Sequence, residues 1–370
     1  MTVAVVAGAL ANKARNGGEA WVRLSWVLGL KRLGLDAWLV EEVTPEVPAT
    51  DRAWFESVVE WFGLGERSAL VDPEGRSLAG ARADDLSDAM ATADVLVNIS
   101  GNLTCERLLR LPRRRIYLDL DPGYTQFWHR SGALGRVLER HDSFLTVALA
   151  IGRPTCSIPT DGFDWRPVAP PVVLDDWPVA AEPPERRFTT VGSWRGGYGR
   201  VEREGHTFGQ KAHEFRRFAD VPRLASVPCE VALDIHPADQ GDTDMLQAGG
   251  WQVVDPHEAA GDPDAFRRYV QASSAELSPA QGIYVETSSG WFSDRTTRYL
   301  ASGRPAVVQD TGLPPEIPRG EGLLTFRTPE QAVVALHAVL EDYDRHAGAA
   351  RRVAEEHFAS DVVLRDALEG

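Results

Sequence analysis

The stretch Ser288–Asp310, SSGWFSDRTTRYLASGRPAVVQD, holds one helix-to-strand unit of an α/β fold. Ser293 suits a helix N-cap, Asp294 suits the first turn, and Gly303-Arg304-Pro305 ends the helix. PAVVQD then predicts a strand. Capping accounts for Ser293, Asp294 and Gly303 but leaves Ser288-Ser289-Gly290 unexplained. Hydroxyls and a glycine ahead of a helix start can hold an anion on backbone N–H groups. Asp294 weighs against that use, because its charge competes with an anion.

The same alternation runs outward in both directions. TVAVVAGAL predicts a buried strand, ANKARNGG a loop, and EAWVRLSWVLGLKRLG a helix. Ala20, Leu24, Val27, Leu28 and Leu30 recur there at helical spacing, and Gly34 is a natural stop. DAWLVEEV is the next strand, so the chain opens on a βαβ unit with a parallel sheet. Further strands are expected at DVLVNIS, RRIYLDLD and SFLTVAL, then at FTTVGSW, EVALDIHP, WQVVDP, SAELSP, GIYVET and PAVVQD. The tail from Thr328 reads as helical, with Thr328 as N-cap and Pro329 in the first turn. Between the two strand series lies the Pro-dense SIPTDGFDWRPVAPPVVLDDWPVAAEPPERR, a linker composition. The expectation is an α/β protein of two Rossmann-like domains, 1–170 and 185–350, joined by a linker 171–184. A helix over 351–370 is expected to return to the first domain, with C-terminal helices packing across both.

Composition sets the bounds. A chain of 370 residues exceeds one ordinary core and suits two domains. The net charge of −15, from 39 basic and 54 acidic side chains, argues against a nucleic-acid or anionic-membrane partner. An anion site must therefore be a local pocket. No apolar run spans a bilayer, and the N-terminal run reads as a strand and not a signal peptide. Cys105, Cys156 and Cys229 are scattered, without CxxC spacing, so neither zinc nor a disulfide framework is expected and a reducing cytoplasm fits.

Ligands of such folds lie beyond the carboxyl ends of parallel strands, so the loops there carry the candidates. Gly17 and Gly18 precede a helix and permit close backbone approach, though they make no GxGxxG dinucleotide fingerprint. In TVGSWRGGYGR, Arg195 follows a strand, and Lys211 stands at the next helix start; both suit phosphate, and both suit plain solvated charge. YLDLDPGYTQFWH offers Asp121 as a general base or a turn residue, with His129 further on. LDIHPADQGD offers Asp234, His236 and Asp239, but no second ligand cluster supports a metal. No GxSxG is present, which argues against the α/β-hydrolase serine arrangement.

The linker segment IPTDGFDWRPV, the strand AELSP and above all RYLASGRPAVVQDTGLPPEIPRGEGLLTFRTPEQAVVAL resemble GT-B glycosyltransferases, a bacterial group using nucleotide-sugars. The resemblance implies transfer of a sugar from a nucleoside-diphosphate sugar to a small-molecule or saccharide acceptor, with no cofactor and no metal. It places the donor diphosphate on Arg195, Lys211, Ser289, Gly290, Ser293, Arg295 and Thr296, and the acceptor loop at Gly17 and Gly18. Asp121, His129 and Glu19 become the catalytic candidates. The family's Glu-x7-Glu pair is absent: its positions fall on Gly290 and Arg298. Glu286, Asp310 and His236 are then the expected sugar or nucleotide contacts. The missing pair leaves a second expectation, a silent GT-B shell that partners a true transferase. A homodimer is the oligomer considered.

Overall fold

The computed structural model describes residues 2–180, 187–196, 199, 201–203 and 205–369. The expected linker end and the start of the second domain at 185 fall outside the described residues. The first sheet has eight strands: β1 Val3–Ala7, β2 Asp36–Glu42, β3 Ser68–Val71, β4 Ser77–Gly80, β5 Val95–Ile99, β6 Arg115–Asp119, β7 Ser143–Thr146 and β8 Trp165–Pro167. Their order is β4-β3-β2-β1-β5-β6-β7-β8, parallel except for the β3–β4 pair. The second half contributes β9 Phe188–Ser193, a hairpin of β10 Glu202–Arg203 and β11 His206–Thr207, then β12 Cys229–Asp234, β13 Trp251–Val254, β14 Ala275–Ser278, β15 Ala306–Gln309 and β16 Leu323–Phe326. Six of these form an all-parallel sheet in the order β13-β12-β9-β14-β15-β16. The central strands β1 (VAVVA) and β5 (VLVNI) of the first sheet are apolar along nearly their whole length, as strands covered on both faces are.

One expected strand is a helix. GIYVET forms the helix Gly282–Glu286. Ile283 and Tyr284 are fully buried in a cluster with Tyr124 and Phe127 of the first domain. That packing overrides the strand preference of Ile, Tyr and Val. β3, β4, β8 and β16 lie outside the expected set; at three or four residues they are too short for alternation to be read.

Two backbone-close contacts stand out between the domains. The helix Gly17–Arg32 abuts the helix Pro263–Ala272 so closely that a Cβ on Gly17 would lie 2.1 Å from the Asp262 carbonyl oxygen. Trp21 Nε1 donates to the Pro263 carbonyl (2.8 Å) and its ring meets Trp177 edge-on at 5.0 Å. Trp177 in turn meets Phe266 at 6.1 Å, and one apolar cluster contains residues of both domains, from Ala4 and Trp21 to Phe266 and Tyr299. Buried aromatic pairs of this kind contribute about 0.5–1.5 kcal/mol beyond their buried area.

The second contact is made by the unexplained Ser288-Ser289-Gly290. Ala150 N donates to Ser289 O (3.0 Å), Ser157 N donates to Thr287 O (2.9 Å), and Ala148 bridges Trp291. Gly290 has φ +67°, and a Cβ there would lie 2.6 Å from Ala150 N. The glycine is thus required by the neighbouring domain's backbone. The Pro-dense stretch is likewise packed: Val172 N donates to Phe358 O (2.8 Å) and Val172 O accepts from Ser360 N (2.9 Å). From there the helix Ser360–Glu369 lies on the Gly17 helix, with Leu364 against Gly29, so the tail crosses to the first domain.

Gly17→Ala and Gly290→Ala should each destabilise the protein by about 1–3 kcal/mol in chemical denaturation, through forced displacement of packed backbone. Gly241→Ala is the contrasting variant. Gly241 sits in the helix Gln240–Ala248 with nothing within 4 Å of its would-be Cβ, so the change should be neutral or stabilising.

Candidate functional site

A cavity of about 570 Å³ lies between the domains, where the carboxyl ends of both sheets face each other. That size suits a small-molecule ligand. The first domain lines it with Lys13, Arg15 and Asn16 after β1, Glu19 and Arg23 of the Gly17 helix, and Asp121 after β6. The second lines it with Val191–Ser193 at the end of β9, Lys211, Asp234, Gln281, Tyr284, and Ser293–Arg295 with Arg298. Six cationic side chains (Lys13, Arg15, Arg23, Lys211, Arg295, Arg298) meet four carboxylates (Glu19, Asp121, Asp234, Asp294). The wall is therefore net positive in a chain of net charge −15.

Each charge has a local cause for its place. Arg295 donates from Nε to Glu276 Oε1 (2.7 Å), from Nη1 to Val191 O (2.6 Å) and from Nη2 to Ser278 Oγ (2.6 Å). The side chain thereby ties β9 to β14 and engages three of its five N–H groups. Lys211 heads the helix Lys211–Arg217 and reaches back over the end of β9; a Cβ on Gly192 would lie 2.7 Å from its Nζ. Burial, together with the nearby Arg295 charge, pulls its ammonium pKa down to about 8. Ser293 caps the helix Asp294–Ala301 by accepting from Arg295 N (3.3 Å).

Glu19 pairs with Arg23, and Asn16 Oδ1 accepts from its backbone N–H (3.1 Å). Burial raises the Glu19 carboxyl, but the charges of Arg23, Lys13 and Arg298 outweigh it and hold it below the usual range. Arg298 is fully buried, paired with Asp294, and close to the rings of Trp177 and Phe266 (5.9 and 6.0 Å). Its Nη2 donates to Ser25 Oγ of the first domain (3.4 Å). Tyr284 donates from its hydroxyl to Asp121 Oδ1 (3.2 Å) and stacks on Trp291 at 4.5 Å.

Of the residues expected at the site, Glu19, Asp121, Lys211, Ser293, Arg295 and Gly18 line the cleft. The others are placed elsewhere. Arg195 is half-exposed and held by Asp239 through two bonds of 2.7 Å. His129 packs edge-on against Phe163 at 5.0 Å. Ser289 is buried in its turn, donating to Tyr284 O (3.1 Å) and accepting from Trp291 N (3.0 Å), and Thr296 is buried within the helix Asp294–Ala301. Gly17 and Gly290 serve the domain contacts described above. Glu286 accepts from Gly209 N (3.0 Å) and meets His206, His236 caps the short helix Pro237–Asp239, and Asp310 binds Gly312 N (2.9 Å) and Arg327 (2.7 Å).

Lys13, Arg15, Arg23 and Tyr284 are cleft residues that pattern reading passed over. The signal for the first two was present, since both stand in the loop after the first strand. Arg23 and Tyr284 carry none; inside helices they look like any surface base or core aromatic. Among the described residues no group of three His, Cys, Asp or Glu side chains is placed to hold a metal ion. No helix among them is long and apolar enough to cross a membrane.

No protein-family model and no curated protein matches the chain. Solved structures do match over its full length. The Anabaena protein HepE, solved with UDP and glucose, superposes with a TM-score of 0.59 at 11% identity, covering 100% of this chain and 99% of its own. An α-glucosyltransferase solved with UDP and DNA gives 0.57 at 12% identity, covering 100% and 99%. AviGT4, a glycosyltransferase of avilamycin A biosynthesis, gives 0.56 at 16% identity, covering 99% and 96%. The fold is GT-B. Its two sheets place the Lys211–Arg295 cluster on one wall of the GT-B cleft and Asp121 with the β1 loop on the other.

The chain has only three lysines, so the cleft ammonium can be observed directly. Lysine-specific ¹³C NMR should show one resonance titrating with a midpoint near 8, and that resonance should be absent in Lys211→Arg.

Proposed function

We propose that the protein is a glycosyltransferase that moves a sugar from a nucleoside-diphosphate sugar to a small-molecule or saccharide acceptor, without a metal. The observation that carries this reading is the cation cluster at the carboxyl end of β9. Lys211 and Arg295 stand there beside the capped start of the Asp294 helix, fixed by the fold before any ligand arrives. Breaking the bond between the anomeric carbon and the diphosphate oxygen builds negative charge on the leaving group. Preorganised cations and helix N–H groups stabilise that charge with no reorganisation cost at the moment of reaction. Full-length likeness to structures solved with UDP supports the same donor class here. The −15 net charge still favours a small acceptor over a nucleic acid. On the acceptor wall, Asp121 is assigned as the group that takes the acceptor hydroxyl's proton.

Calorimetry with UDP, TDP and GDP tests the donor half. Lys211→Ala should weaken the bound nucleotide roughly 10- to 100-fold, the loss expected for about 1.5–3 kcal/mol of charged hydrogen bonding. Arg195→Ala should leave affinity within about twofold on this geometry, because Asp239 holds that guanidinium outside the cavity wall. Lys211 is cationic below its pKa of about 8, so wild-type affinity should fall as pH rises from 8 to 10, while Lys211→Arg should not follow that slope. Absence of binding by all three nucleotides sinks the transferase reading.

Asp121→Asn tests the acceptor half. Loss of a general base should lower kcat by roughly 10²- to 10⁴-fold and leave nucleotide affinity unchanged. A variant that turns over normally removes Asp121 from the reaction.

A further inference from the structure

We infer that the acceptor carries an anionic group, a phosphate or a carboxylate, seated on Lys13 and Arg15 of the loop after β1 with Arg23 behind them. This rests on the transferase reading of the cleft and narrows its acceptor. The loop is built rigidly: the buried Glu41 carboxylate accepts from the backbone N–H groups of Leu10 (2.8 Å), Ala11 (2.6 Å) and Asn12 (2.8 Å). Those amides are therefore already occupied by an anion of the protein's own. Anion recognition on this wall falls to side chains.

Lys13 and Arg15 both line the cavity, both are exposed, and neither forms an ion pair among the described residues. The cleft arginines Arg23, Arg295 and Arg298, by contrast, are all paired with carboxylates. Arg15 is held at φ +56°, a conformation a non-glycine residue seldom adopts, and His257 of the second domain faces its carbonyl (3.3 Å). Strained backbone at a cleft edge marks a position set by more than local preference. Arg23 is 5% exposed, lines the same wall, and its buried Nε–H has no hydrogen-bond partner, so its pairing with Glu19 does not use all its donors. Glu19 and Asp121 are the opposing charges on this wall. Glu19 is answered by Arg23, which leaves two bases of one sign at the cavity mouth without an ion-pair partner among the described residues.

The test is calorimetry on the full chain at constant ionic strength, with and without saturating UDP. The probes are glucose, glucose 6-phosphate, glucuronate and inorganic phosphate. At least one anionic probe should bind tenfold or more tightly than glucose, and the two sugar acids tell phosphate from carboxylate. In Lys13→Ala/Arg15→Ala that preference should shrink to about threefold or less, with UDP affinity unchanged. Equal binding of neutral and anionic probes overturns the inference, as does a double variant that loses UDP instead of the anionic probe. If UDP fails to bind while the anionic probe still depends on Lys13 and Arg15, the anion site stands and the transferase reading falls.

Discussion

The contact between Gly17 and the Asp262 carbonyl fixes the geometry on which everything else depends. A sheet's carboxyl edge is only half a site. Two such edges make a cleft when something holds them face to face at a set distance. Here the Gly17 helix can touch the Pro263 helix because position 17 has no side chain. Trp21, Trp177 and Phe266 then close over the junction. Ser289 and Gly290 repeat the device at the other end of the seam, with backbone meeting backbone. The residues that look most like a ligand loop in the sequence are thus the ones that join the domains.

This seam also explains how an acidic protein holds a basic pocket. Arg295 gains its position from Val191, Glu276 and Ser278, all on the two central strands of the second sheet. Its charge is therefore fixed by the same strands whose ends form the cavity floor. Lys211 is held nearby with its ammonium pKa lowered by burial and by the Arg295 charge, and no carboxylate pairs with it among the described residues. Surface acidity acts at a distance and is screened by salt, whereas a cleft cation acts over a few ångströms in a drier setting. Net charge and local field can differ in sign for that reason.

Much of the fold was legible in the sequence, because long periodic segments and their caps report local physics. The Gly17 helix, its stop at Gly34 (φ +83°) and the cap at Thr328 needed no tertiary information. The helix at Gly282–Glu286 did need it, since its residues prefer strand and only burial against Tyr124 and Phe127 decides otherwise. The site was legible at residue types and loops, less so at partners. Sequence places a base after β9 at Arg195 as readily as at Lys211. Only the fold shows that Asp239 takes the first and that the cleft receives the second.

The missing carboxylate pair gains a physical reading from the same seam. Gly290 cannot carry any side chain, because Ala150 of the other domain occupies that space. Arg298 is buried on Trp177 and Phe266 and bonds Ser25 across the junction. A glutamate there would place an acid beside Asp294 and lose the contact to Ser25. Both positions have been given over to holding the domains together. The carboxylates near the cavity stand at other positions. Glu19 and Asp294 are spoken for by Arg23 and Arg298, and Glu286 and Asp310 are tied to Gly209 and Arg327. Asp121, which accepts from the Tyr284 hydroxyl, and Asp234 stand at the carboxyl ends of β6 and β12, on opposite walls of the cavity. A substrate gripped from both sheets at once would sense the distance between them, which is the distance that Gly17 sets.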